Sequence, residues 1–346
     1  MTSRDVIGAA RDALLSGAYY SGAGALYKRL RGRRGGLLSY HNVLPREELS
    51  GASVHAVDVS IEAFERQLAY LDGQGLLLSV SDPWPSQREG FYLSFDDGML
   101  NNYEIIAPRL RTYGVRAVFG VCPGLITGEI PYIWRDHLYL ILTTLRERSV
   151  RLPMDGYASE IAVTGDNLED LTEQFRSWVT RRRIEDVYAS IEETCQVNGL
   201  PPGRDGRLPL RFHPMGEEHV RELADEGHVI ASHTWSHRIL SVLSPAQKRS
   251  ELARSKRYLE GLIEGPVDTI VYPYGGRNEV DDEAISLSRA CGYRRGLMNV
   301  PDLQDADEMR IPRFSIPDTT KAPYIDAVLT GLKDTLRGAL HRRNGA

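Results

Sequence analysis

From Leu37 onward the chain alternates short β-type runs with amphipathic helical patterns, and this order constrains its fold more than any other feature. Strands separated by helices cannot pair as hairpins. Each crosses over to lie parallel to the last, which gives an α/β fold on a parallel sheet. The β-type runs fall at 37–41, 91–95, 115–121, 229–232, 269–272, 293–298 and 311–316. Between the first two, Ser60 is placed to cap a helix with Ile61, Phe64, Leu68 and Leu71 on one face, ending at Gly73 or Gly75. Asn101 or Asn102 opens another helix to about Tyr113, and more are expected over 217–226, 245–262 and 283–290 and at the C-terminus. Six to eight such units favour a closed barrel over an open sheet. The rhythm breaks at residues 128–210, a charged stretch with mostly helical patterning, Arg181-Arg182-Arg183 within it and Pro201-Pro202-Gly203 at its exit. It is expected to be a mainly helical insertion in a domain spanning 37–320, followed by a helix and tail over 321–346.

The polar residues gather where β-type runs end. Ser94-Phe95-Asp96-Asp97-Gly98 sets two adjacent carboxylates at a tight glycine turn. In parallel α/β folds the carboxyl ends of strands are where sites are built, and one carboxylate can bind a cation while its neighbour stays free as a base. Taken alone, a turn or helix N-cap is the simpler account, since Asp-Gly is a common turn pair. Ser232-His233-Thr234-Trp235-Ser236-His237 also begins at a strand end. Histidines at i and i+4 face one side of a helical turn and can converge on an ion; two unrelated surface histidines are the alternative. With a carboxylate from another strand end they complete a two-histidine, one-carboxylate set. Three protein ligands leave a position open for water, as in catalytic rather than structural metal sites. The third segment, Val271-Tyr272-Pro273-Tyr274-Gly275-Gly276, again runs from strand into turn.

In this order the three segments resemble the polysaccharide deacetylases, carbohydrate esterase family 4, which carry the chitooligosaccharide deacetylase (NodB) homology domain. The resemblance covers residues 37–127 and 211–316. It implies a distorted (β/α)7-type barrel and hydrolysis of an N-acetyl, less often O-acetyl, group on a sugar of a cell-surface polysaccharide or its precursor. The insertion, with Pro131, Trp134, Arg135 and Asp136 near its start, is similar to that of enlarged members linked to exopolysaccharide or lipopolysaccharide biosynthesis. By matching position, the resemblance makes Asp97, His233 and His237 ligands of a divalent metal, zinc first, with cobalt, nickel or manganese as alternatives. It makes Asp96 the general base. The metal would lower the pKa of a bound water to about 7 and polarise the acetyl carbonyl. The backbone N–H of Tyr274, next to Pro273, would help to hold the oxyanion. Trp235, Tyr272 and Trp134 are candidate walls for a sugar face, with burial in the barrel as the alternative for the first two.

Two departures from the family pattern matter. The third motif normally begins with an Arg that braces the catalytic Asp, and that position is Val271 here. Arg310 or Arg313 is expected to supply the cation instead. The late Leu-x-His motif that normally gives the catalytic acid is also absent, and after His237 the only histidine is His341. The expected replacement is His41, in Ser39-Tyr40-His41-Asn42. A subset resembling the poly-N-acetylglucosamine deacetylases has Tyr-His there, and the first and last strands of a closed barrel are neighbours. A core or N-capping histidine is the alternative. These departures keep three other readings open: an O-acetyl esterase, another carbon–nitrogen hydrolase on the same barrel, or a degenerate member that binds glycan without catalysis.

Composition bears on partners. With 42 % hydrophobic and 26 % charged residues and a net charge of −5, the chain lacks the basic excess of a nucleic-acid binder. Three scattered cysteines, Cys122, Cys195 and Cys291, exclude a disulfide scaffold and suit a reducing compartment. The charge is unevenly spread: residues 1–36 hold seven Lys/Arg and two Asp, net +5, so the remainder carries −10. The uncharged run 13–27 is too short and polar to cross a bilayer, which takes about 20 apolar residues. Tyr19, Tyr20 and its glycines dilute it as a signal peptide. A helix followed by Lys28, Arg29, Arg31, Arg33 and Arg34 fits peripheral contact with an anionic membrane, with a solvated extension as the alternative. The expected location is cytoplasmic, at the inner face of the membrane, with export as the alternative.

Overall fold

The computed structural model describes residues 13–22, 26–27, 35–49, 58–81, 89–133, 136, 149–150, 161–164, 167, 170–171, 174, 184–199, 210–301, 307–333 and 335. The basic run 28–34, Trp134 and most of the insertion lie outside them.

Seven strands form a closed barrel: β1 (Gly36–Tyr40), β2 (Phe91–Phe95), β3 (Val118–Val121), β4 (Val229–Ser232), β5 (Thr269–Val271), β6 (Arg295–Met298) and β7 (Ile311–Phe314). Each pairs in parallel with its neighbours in sequence, and β7 closes onto β1 through the pairs Leu37–Arg313 and Leu38–Phe314. The seven β-type runs and the closed barrel expected from the sequence are those of the structure. Alternation along each strand explains what fills it. Leu37, Tyr92, Val118, Ala231, Val271, Leu297 and Ile311, one from each strand, form a single apolar cluster inside the barrel, joined by Leu78 and Val80. Two residues further along most strands the inward position turns polar or small: Ser39, Ser94, Gly120, His233, Asn299, Arg313. The apolar layer therefore supports a polar one toward the carboxyl ends.

The alternate residues, among them Leu38, Tyr40, Phe95, Phe119, Ile230, Ile270 and Tyr272, pack outward against the helices in a second core. These helices are α1 (Ile61–Gly73), α2 (Ala107–Tyr113), α3 (Glu217–Asp225), α4 (Pro245–Ile263), α5 (Asp282–Ala290) and α6 (Ala322–Leu329). Ser60 caps α1 by accepting from the Ala63 N–H at 3.2 Å. Before α2 the chain winds a π-helical segment, Asn102–Ile106. In α6, Asp326 accepts from Tyr70 Oη of α1 at 2.6 Å. The described part of the insertion holds the helix Ile184–Val197, and also an antiparallel strand pair, Ser149–Val150 with Ile161–Ala162, that the helical pattern did not suggest. None of the three cysteines is disulfide-bonded, and burial raises the pKa of each thiol.

At the opposite end of the barrel from the motif turns, His228 enters β4 buried. Its Nδ1 accepts from the Ala117 N–H at 3.1 Å. Burial, aided by Arg116 and Arg111 and only partly offset by Glu226, lowers its pKa to about 4. A histidine whose folded pKa lies below its unfolded value of about 6.5 stabilises nothing by charging. Stability is therefore intact above pH 6.5 and falls as the pH drops toward 4, by about 3 kcal/mol from this group. Urea denaturation of the wild type and of His228→Gln across that window should show the decline reduced in the variant; parallel curves would contradict it.

Candidate active site

All seven strands point the same way, so the turns after β1, β2, β4 and β5 meet on one rim of the barrel. Asp96 leaves β2 two residues beyond the inward Ser94. Its carboxylate is gripped bidentately by Arg313, Nη1 to Oδ1 at 2.7 Å and Nη2 to Oδ2 at 2.9 Å, and Nη1 also donates to Ser94 Oγ at 3.1 Å. Both residues are fully buried, Arg313 at 0 % and Asp96 at 1 % exposure. Burial alone would raise the carboxyl pKa, but Arg313, then His41 and His233, outweigh it and hold Asp96 below its ordinary value. Asp96 is thus kept ionised. Of the two cations expected to brace it, Arg313 does so. Arg310 stays at the surface, 2.6 Å from Asp282 and 3.4 Å from Asp307.

His41 follows β1 and turns toward the same carboxylate, its Nε2 3.8 Å from Asp96 Oδ2. The Asp96 N–H donates to the Tyr40 carbonyl at 3.0 Å, which ties the two strand ends together.

Asp97 points away from Arg313, toward the histidines. His233 Nε2 and His237 Nε2 each lie 3.3 Å from its Oδ1. One donor atom from each of the three residues falls within 4.8 Å of the others, and all three are buried. His233 Nδ1–H donates to the Val271 carbonyl at 2.7 Å, which fixes the tautomer and turns the Nε2 lone pair inward. Among the described residues, neither His233 Nε2 nor Asp97 Oδ1 has a hydrogen-bond partner. Buried polar atoms are rarely left so. Converging lone pairs on imidazole and carboxylate are what a divalent cation satisfies, so this donor set fits a metal. Burial opposes the charge on Asp97, but the two imidazoles hold its carboxyl well below the usual range. Burial likewise opposes charging of His233, and Asp97 and Asp96 raise its pKa nonetheless.

The turns that aim these side chains are strained. Asp97, Thr234, His237 and Tyr274 have φ of 77°, 59°, 56° and 61°, left-handed values that cost a non-glycine residue roughly 1–3 kcal/mol. Between the two histidines, Ser236 is clamped by Glu251 of α4: its N–H donates to Oε2 at 2.8 Å and its Oγ to Oε1 at 2.7 Å. Glu251 escapes motif reading, but Lys248, Glu251 and Ser255 recur at helical spacing on the buried stripe of α4, a pattern that marks polar work on that face.

The remaining candidates are placed as follows. Tyr274 stands beside His237, ring centroids 5.1 Å apart, and its carbonyl accepts from Asn299 Nδ2 at 3.1 Å. Pro273 is buried in the same turn. Tyr272 is buried on the helix-facing side of β5 and offers no face to a sugar on the rim; burial pushes its hydroxyl up to about 12. Trp235 is also buried, with the Arg254 guanidinium 3.6 Å from its ring centroid. For both, the packing alternative is the one the structure shows.

The polysaccharide deacetylase family model matches residues 85–296, more than half of the chain. The chain belongs to the polysaccharide deacetylase family. A curated relative, YxkH of Bacillus subtilis (strain 168), named as a candidate polysaccharide deacetylase, is 33 % identical over 96 residues, which is 28 % of this chain and 33 % of that protein. The chain thus spans about a third of that relative's length. Among solved structures, the Streptococcus pyogenes deacetylase PplD in complex with acetate superposes with a TM-score of 0.53 at 17 % identity, over 85 % of this chain and 97 % of that one. IcaB from Ammonifex degensii gives 0.52 at 16 %, over 87 % and 98 %.

The buried pair gives a test that does not depend on turnover. Removing one partner of such a pair strands the other as a buried charge, at a cost of about 3–5 kcal/mol. Arg313→Met should lose stability in that range by urea denaturation, and Asp96→Asn in the same chain should restore part of it. A double variant no better than the single one would refute the pairing energy.

Proposed function

We propose that the chain is a metal-dependent hydrolase that removes N-acetyl groups from the amino sugars of a cell-surface polysaccharide or its precursor. The observation that carries this is one rim holding three functions side by side: the Asp97–His233–His237 donor set, an ionised Asp96 braced by Arg313, and His41 3.8 Å from that base. A divalent cation in the donor set, zinc being favoured by two imidazoles and one carboxylate, supplies Lewis acidity toward water and the acetyl carbonyl.

The chain's own groups then divide the proton work. Asp96 takes a proton from the attacking water. The Tyr274 ring stands beside His237, and the backbone N–H of Tyr274 would steady the oxyanion. As the C–N bond breaks, the nitrogen keeps the electron pair and takes a proton from His41, giving acetate and the free amine. An amide needs that donor because an amide anion is a very poor leaving group. The Arg313 grip on Asp96 and the approach of His41 to the same carboxylate support an active enzyme over a glycan-binding relic. A solved de-N-acetylase from Aggregatibacter actinomycetemcomitans has a related fold, TM-score 0.50 at 16 % identity over 85 % of this chain and 99 % of that one.

The proposal extends to an anionic membrane surface as a docking partner. Leu14, Tyr20 and Leu26 expose their side chains at 61 %, 77 % and 58 %, just ahead of the five basic residues between 28 and 34. No helix among the described residues is long and apolar enough to cross a membrane.

Two experiments test these claims. Acetate release from N-acetylglucosamine oligomers should cease after chelation and return with zinc or cobalt, and Asp96→Asn should lower kcat by about a hundred- to ten-thousand-fold. Undiminished release by metal-free protein or by Asp96→Asn would refute the mechanism. Sedimentation with phosphatidylglycerol vesicles should fall on deletion of residues 1–30 and at high salt; equal binding to neutral vesicles would refute the electrostatic contact.

A further inference from the structure

His41 stands in no regular element. It occupies the short link between β1 and the two-residue strand Val43–Leu44, where nothing in a strand ladder fixes it. A chain of buried polar side chains does so instead. Asn102 Nδ2 donates to the His41 carbonyl at 2.9 Å. Asn101 Oδ1 accepts from the Val43 N–H at 3.1 Å, and its Nδ2 donates to Asn42 Oδ1 at 2.7 Å. Asn42 Nδ2 donates to Asp58 Oδ1 at 3.0 Å, and Arg211 Nη2 lies 3.0 Å from Asp58 Oδ2. All five side chains are buried.

Five polar groups out of water are costly to keep and expensive to break, so such an array makes one arrangement of its backbone strongly preferred. What it grips is specific. Asn101 and Asn102 follow the turn that carries Asp96 and Asp97, so the segment presenting the base also grips the loop presenting His41, at its carbonyl and two residues on. Arg211 comes from the chain as it leaves the insertion, in the short 3-10 turn Leu210–Phe212. The array therefore joins four chain segments, and it holds the backbone of His41, whose ring faces the reacting centre.

We propose that Asn42, Asn101, Asn102, Asp58 and Arg211 are positioning residues that set His41 against Asp96 for proton delivery to the leaving amine, with Arg211 tying that setting to the exit of the insertion. The inference rests on the hydrolase reading above. Its signature is selective. An amide needs the proton from His41, whereas an activated aryl acetate releases a stable phenolate without it. Loss of the array should therefore harm amide hydrolysis and spare ester hydrolysis; general damage to the barrel would harm both.

The experiment compares full-length, metal-loaded wild type, Asn102→Ala, Asn42→Ser and His41→Ala on N-acetylglucosamine oligomers and on 4-nitrophenyl acetate. Asn102→Ala and Asn42→Ser should lose about 10- to 100-fold in kcat on the amide, approaching His41→Ala, with ester turnover at the wild-type level. Asn42→Ser is the milder change and gives the same split if Asn102→Ala does not fold. Equal losses on both substrates, or full amide activity in both variants, would overturn the proposal. A wild type inactive on the amide would count against the hydrolase reading alone, and the His41 ring resonances in NMR then decide: displaced or broadened in the variants if the array sets His41, unchanged if it does not.

Discussion

Inside a closed barrel, an arginine with no exposed surface must find a carboxylate, and the pair Arg313–Asp96 is the constraint on which the site depends. Only the ring of small and polar inward positions above the apolar layer has room for it, with Ser94 taking a further guanidinium bond. The pair keeps Asp96 ionised in surroundings that would otherwise neutralise it. It also engages both carboxylate oxygens, so Asp96 cannot swing toward the histidines. Asp97 is turned the other way by a left-handed backbone, φ 77°, so adjacent and chemically identical residues enter two different environments. That division of labour between base and ligand is written in backbone geometry.

The ligand loop depends on a second layer of support. Glu251 fixes Ser236 between His233 and His237, and the Val271 carbonyl fixes the His233 ring. Trp235, lying between the two ligands in sequence, packs beneath Arg254, which is paired with Glu129 at 2.5–2.8 Å near the start of the insertion. Arg211 anchors the other end of the insertion to the His41 loop through Asp58. Both ends of the inserted segment are thus fastened to elements that carry site residues.

Much of this was legible in the sequence because period and punctuation agree with the tertiary structure. Each strand shows its β-type run, and Ser60 marks a helix start that the structure uses as a cap. The three motif segments lie at strand ends, where a parallel barrel brings them together. The errors have physical causes. Tyr272 looked like a sugar platform, but Val271 faces the barrel interior, and alternation then sends Tyr272 to the helix side. Arg310 and Arg313 were equivalent as charges; only the strand's inward face distinguishes them. The Asn42–Asn101–Asp58–Arg211 array is not legible in the sequence, since its members lie up to 169 positions apart and no local pattern links them to one another. Long-range polar contacts of this kind arise from the fold and leave no periodic trace.

In the proposed function Asp97, His233 and His237 together bind a catalytic cation. X-ray absorption at the zinc edge of the zinc-loaded protein tests it most directly. One zinc per chain is expected, with two imidazole nitrogens at about 2.0–2.1 Å and oxygen completing the shell, and with loss of one nitrogen in His237→Ala. A zinc without imidazole ligands, or a spectrum unchanged by His237→Ala, would contradict it.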